Sequence, residues 1–183
     1  MNKNSSLLML VFLLIASVGL SQSRYMDRAG KASFFSEAPL ENIEAHNDQV
    51  LSVLDTQKGE IAVSLLMKSF KFEKALMQEH FNEKYVESDK YPKATFKGTI
   101  ANFPDLSKDG TYTVDVTGDL TIHGETNTIT TKAKLVSKGG AISGSTAFPI
   151  KIADYKIQIP TIVVKNIAEV VEVKVSFDFK PSK

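Results

Sequence analysis

The chain has 183 residues, with 22 Lys and Arg against 21 Asp and Glu, three His, no Cys and no Trp. Near-neutrality removes the global positive field that holds a phosphate backbone, so nucleic-acid binding is excluded as the main task. A hydrophobic content of 43% rules out a disordered chain. The absence of thiols rules out disulfides, zinc–cysteine sites, cysteine nucleophiles and lipidated cysteine.

Lys3 is the only charged residue among the first twenty-one, and it precedes an apolar run from Leu7 to Leu20 broken by Ser17 and Gly19. About 14 residues fall short of the ~20 needed to cross a bilayer. They fit the apolar region of a secretory signal, with Gly19 and Ser21 as the small residues before cleavage at Gln22. Residues 1–21 are thus predicted to be a signal peptide, and 22–183 the mature chain, delivered to the periplasm or secreted. No linker or repeat divides the mature chain, so one domain is expected.

Beyond the signal, period two dominates. Lys31–Ser36 and Asp48–Leu54 are β-rich, and Ile61, Val63, Leu65 and Met67 fall on one face of a strand. From Phe72 to Tyr85 the residues are helix formers, with Met77, Phe81 and Tyr85 repeating every four along one stripe. Tyr91-Pro92 closes this segment, which reads as a helix capping the open end of a β structure or as a lid over its interior.

Alternation resumes with Ala94, Phe96, Gly98 and Ile100 against Thr95, Lys97 and Thr99. Asp105, Ser107, Asp109 and Gly110 match the first half of a calcium loop, but Val116 stands where a bidentate Glu is required. Asp109-Gly110 is read instead as a hairpin turn. Tyr112, Val114 and Val116 continue as strand, followed by β-rich stretches at Leu120–His123, Thr126–Val136 and Ala141–Ile150. His123-Gly124-Glu125 and Gly139-Gly140 supply further turns. Ser143, in Gly140–Gly144, misses the nucleophile elbow G-x-S-x-G by one position. The chain ends with Val171, Val173, Val175, Phe177 and Phe179 facing opposite to Glu172, Lys174, Ser176 and Asp178. Many strands joined by short turns predict an antiparallel all-β domain, either a barrel or a sandwich. His46, His80 and His123 lack metal-binding spacing. No catalytic residue, metal or cofactor is predicted.

Two motifs carry a resemblance. Glu79–Phe96 contains His80-Phe81, then Tyr85 with an acid, then Lys90-Tyr91-Pro92 and Phe96; downstream stands Gly118-Asp-Leu120-Thr-Ile122-His-Gly124-Glu-Thr126. In this order they resemble the signature of the YceI-like polyisoprenoid-binding family, and Asp154-Tyr155 with the final alternating strand is similar to its C-terminal end. Tyr25-Met-Asp27 looks like the family's opening strand. Gly30-Lys31 replaces the usual His-Ser, Met77-Gln78-Glu79 stands in place of an Arg-Asp, and Val86 replaces the second aromatic residue.

The resemblance implies an extended, lipocalin-like antiparallel barrel of about eight strands around an elongated apolar interior holding an isoprenoid, quinone-like or other long-chain lipid. Among the inward residues, Val63, Leu65 and Phe96 are then expected to line that interior. Val114, Leu120, Ile122 and Leu135 would continue the lining, with Phe148, Val173, Val175 and Phe177 completing it. Met77, His80, Phe81 and Tyr85 would stand at the mouth. The implied role is a non-enzymatic binding or carrier protein; a filled barrel with a structural or protein-binding role is the alternative, and a lipid-modifying enzyme a more distant one. Ile162, Val163 and Val164 form an apolar run suited to burial or to a homodimer contact.

Overall fold

The computed structural model describes residues 23–37, 42–159 and 168–182. The signal segment and the Ile162–Val164 run lie outside the described residues. Nine strands occur among those residues, in the order β1 (Arg24–Ser36), β2 (Ile43–Asp55), β3 (Glu60–Leu66), β4 (Lys71–Phe72), β5 (Lys93–Ile100), β6 (Gly110–Ile122), β7 (Glu125–Lys138), β8 (Ala141–Lys151) and β9 (Val170–Pro181). Each long strand pairs antiparallel with its neighbour, and β1 pairs with both β9 and β2, so eight strands close into a barrel. The two-residue β4 only adds to the rim of β2. The period-two pattern predicted the antiparallel β class, because alternate residues of each strand must face a buried side; the closed barrel is the one that the family resemblance implied.

Three predictions of local structure need correction. First, the opening strands are longer than expected. A bulge in β1 between Asp27 and Gly30 breaks the period; Asp27 accepts hydrogen bonds there from the backbone N–H of Ala29 (2.9 Å) and Asp178 (2.7 Å). In β2, the buried Asn47 donates to the Leu66 carbonyl at 3.1 Å, which lets a polar residue sit inside a strand.

Second, β6 is continuous through Gly118, which lies opposite Gly98 of β5. The strands approach so closely that a Cβ on Gly118 would stand 2.3 Å from the Lys97 carbonyl oxygen and 2.4 Å from the Gly98 Cα. Third, Asp109-Gly110 is not a hairpin turn, because β6 already begins at Gly110. The tight turns are His123-Gly124 (φ 53° and 77°) and Gly139-Gly140 (φ 57° and 80°), each joining two strands through two left-handed residues.

The two barrel ends differ. At the lower end, the 101–109 connection carries Phe103 and Leu106 against the core, and the Ser137 hydroxyl donates to the Leu106 carbonyl at 2.6 Å. At the upper end, residues 67–92 fold over the rim as a 3₁₀ turn (Met67–Ser69), β4, a short helix α1 (Ala75–His80) and a π-helical turn (Phe81–Tyr85). Met77, Phe81 and Tyr85 are all partly buried there, so the predicted stripe faces the barrel.

Candidate functional site

The barrel encloses a cavity of about 680 Å³, within the range of small-molecule and cofactor pockets. The closed sheet positions its wall: β3 contributes Val63 and Leu65, β5 Phe96, β6 Leu120 and Ile122, β7 Leu135, β8 Phe148, and β9 Val173, Val175 and Phe177. Val114 requires correction. It faces inward and is buried, but it lies on β6 beyond the last β5 pairing, at Ile100–Val116, where the Phe103–Leu106 connection fills the interior. It therefore belongs to the packed floor and not to the cavity wall.

All four residues expected at the mouth, Met77, His80, Phe81 and Tyr85, border the cavity. Burial pushes the Tyr85 phenol above its ordinary pKa. The sequence reading missed the aromatic cluster that seats them. Phe34 of β1 stacks on Phe81 with ring centroids 5.5 Å apart and meets Phe70 edge-on at 5.4 Å. Phe72 packs on Phe81 at 5.0 Å. Phe34 was legible as the middle of an Ala32–Phe34–Ser36 alternation; Phe70 lies in a connection whose period carries no signal, and Phe72, expected to open the helical segment, lies in β4 instead.

Polar groups on the wall are few. The Thr131 and Thr146 hydroxyls bond each other at 3.0 Å. Among the described residues, no Lys or Arg lines the cavity. The chamber lining is thus largely apolar, suited to hydrocarbon and unsuited to a charged guest in its depths.

A second cluster lies outside the cavity, where the helical segment meets the barrel. The His123 side chain is 10% exposed; its Nε2 stands 2.8 Å from a Glu87 carboxylate oxygen and its Nδ1 3.0 Å from the Tyr155 carbonyl. Both ring nitrogens are thus engaged, one by a carboxylate and the other by a backbone carbonyl. The Tyr91 ring packs edge-on against it at 4.5 Å. Glu87, His123 and the neighbouring Lys156 all hold left-handed backbone, with φ 44°, 53° and 54°. His123 therefore ties three chain segments together. Among the described residues, no group of three His, Asp or Glu is arranged to hold a metal ion.

Replacing His123 by Asn, which tolerates positive φ but cannot reach both partners, should cost about 2 kcal/mol. For a domain of this size that lowers Tm by about 4–8 °C. Thermal melting checks the size of the effect, and faster proteolysis between Phe81 and Tyr91 checks its location.

A YceI-like domain family model matches residues 29–179 of this chain. The chain belongs to the YceI-like family. Protein YceI of Shigella flexneri is 38% identical to this YceI-like chain over 80 residues, 40% of the chain and 39% of the relative. The alignment thus spans about two fifths of the curated relatives it matches. Among solved structures, a polyisoprenoid binding domain from Saccharophagus degradans, implicated in plant cell wall breakdown, has a TM-score of 0.74 at 18% identity. That alignment covers 88% of this chain and 99% of the other. Burkholderia cenocepacia BcnA gives a TM-score of 0.69 at 21% identity over 82% of this chain and 96% of that one. The Campylobacter jejuni YceI protein gives 0.57 at 20% identity, covering 80% and 89% respectively. At these identities the structural matches establish the YceI-like fold.

Proposed function

We propose that this YceI-like protein is an exported, non-enzymatic carrier that holds one long-chain lipid, of isoprenoid or quinone-like type, in its barrel. The observation that carries the reading is the apolar cavity of about 680 Å³ in a barrel closed below by packed side chains and bordered above by the helical segment. A filled structural barrel has no use for such a volume, since empty apolar space forfeits packing contacts. Each CH₂ transferred from water contributes about 0.8 kcal/mol, so a chain of isoprene units binds without any charged contact. The Saccharophagus domain, whose name states polyisoprenoid binding, points to the same ligand class.

The histidine arrangement favours a binder over an enzyme. His46 and His123 each have a carboxylate partner, Glu44 at 3.3 Å and Glu87 at 2.8 Å, but neither histidine borders the cavity, and both ring nitrogens of His123 are engaged. Neither of these two carboxylate-paired rings is placed to take a proton from a guest in the cavity. Export follows from the reading of residues 1–21 as a signal.

Native mass spectrometry of protein purified from an exporting host should show one bound lipid, released by organic extraction. The emptied protein should then take up geranylgeraniol. Preparations that are repeatedly ligand-free and that fail to take up geranylgeraniol would remove the carrier reading.

A further inference from the structure

The barrel wall is not laddered along its whole height. The β7–β8 pairing runs only from Ala133–Thr146 to Lys138–Ala141. Above it, residues 125–132 of β7 pair with β6 alone, and residues 147–151 of β8 pair with β9 alone, among the described residues. The ladder stops for identifiable reasons. The Thr146 hydroxyl donates to the Lys132 carbonyl at 2.8 Å, occupying a backbone group that would otherwise continue the pairing. The Thr131 hydroxyl approaches the Ala147 carbonyl at 3.5 Å, which shows that the Ala147 backbone faces β7. Two residues on, the same side of β8 is presented by Pro149, which has no N–H to donate.

The resulting seam opens toward the upper rim and is flanked by cavity-lining residues: Ile129 and Thr131 on one edge, Phe148 and Ile150 on the other. It is filled by the 3₁₀ turn Ile152–Tyr155 that follows β8. Tyr155 is buried beside Leu120 and Ile150. The turn is held to the edge of β7 by side-chain contacts: Asn127 Nδ2 donates to the Asp154 carbonyl at 2.9 Å, His123 Nδ1 meets the Tyr155 carbonyl at 3.0 Å, and Lys156 pairs with Glu125 at 2.7 Å. A few contacts of this kind release far more readily than a continuous strand ladder.

We infer that the β7–β8 seam is the route by which a lipid chain enters the cavity, and that the Ile152–Tyr155 turn is its gate. This rests on the carrier reading above. A sideways slot lets a long tail slide in from a lipid surface while its polar end stays outside, so no headgroup crosses the apolar chamber. The packed floor offers no way in, and the four-ring Phe34–Phe81 cluster fastens the helical segment over the mouth.

The chain has no native cysteine, so an Asn127→Cys/Asp154→Cys pair can lock the gate cleanly. Oxidised, this variant should take up a fluorescent geranylgeraniol analogue at least tenfold more slowly than wild type, with the final amount bound unchanged and the rate restored by dithiothreitol. Pro149→Val tests the same point without a cross-link: a restored N–H should extend the ladder, raise amide protection at Ile129 and slow uptake. Unchanged uptake in the oxidised pair, or in a Pro149 variant whose Ile129 amide has become protected, overturns the gate while the carrier reading stands. Wild-type protein that takes up no probe overturns both.

Discussion

Val175→Glu should leave the fold intact at pH 4 and strip it of about 4 kcal/mol at pH 8. Val175 lies opposite Ala32 of β1 and Thr146 of β8, and its side chain faces the cavity. A carboxylate placed there loses its hydration and finds no Lys or Arg on the wall among the described residues. Burial of this kind raises a carboxyl pKa by ~3 units, at about 1.4 kcal/mol per unit.

The sign follows from proton linkage. Between the unfolded pKa, ~4.3, and the raised folded one, the native state binds more protons than the unfolded state. Stability therefore falls as pH rises through that window and levels off above it. Urea denaturation at pH 4 and pH 8 measures the difference, and Val175→Gln, which cannot ionise, should show no comparable pH dependence. Equal stability of the Glu variant and wild type at both pH values would mean that the faces of β9 are reversed.

Gly118→Ala should destabilise the barrel by at least ~3 kcal/mol, lowering Tm by about 6–12 °C, although it adds a single methyl group. The new carbon would lie 2.3 Å from a backbone oxygen and 2.4 Å from the Gly98 Cα, and neither atom can rotate away. Gly98 is itself covered by Phe96, whose ring atoms come within 2.6 Å of the position its own Cβ would take. The Gly98–Gly118 pair thus pinches β5 against β6 and seats the Phe96 ring on the cavity wall. Gly144→Ala is the contrasting substitution. Its Cβ would meet only the Leu135 and Phe179 side chains, at 3.3 and 3.4 Å, so its cost should stay below ~1 kcal/mol. Comparable Tm losses in the two variants would rule out the backbone clash as the cause.

The same residues show how far the sequence can be read. In β9 and β3 each residue's facing follows from its parity, because a strand in a barrel wall has one apolar side and one wet side. The helical stripe of Met77, Phe81 and Tyr85 was legible for the equivalent reason at period four. Parity cannot report depth, so it does not distinguish Val114, which lies in the floor, from the wall residues: both are inward, and only the 101–109 connection separates them.

Local pattern by itself determined the antiparallel β class, the turns at His123-Gly124 and Gly139-Gly140, the inward side of β3, β5, β6 and β9 and the apolar nature of the interior. These depend on neighbours within a few residues, which the chain order already supplies. The tertiary structure alone decided that the sheet closes, how much of the interior stays hollow, that Glu87 and Tyr155 converge on His123 from 36 and 32 residues away, and that β7 parts from β8 above Thr146. Register between strands is set by the combined packing of both edges and by bulges, so contacts that depend on it have no signature in any one segment.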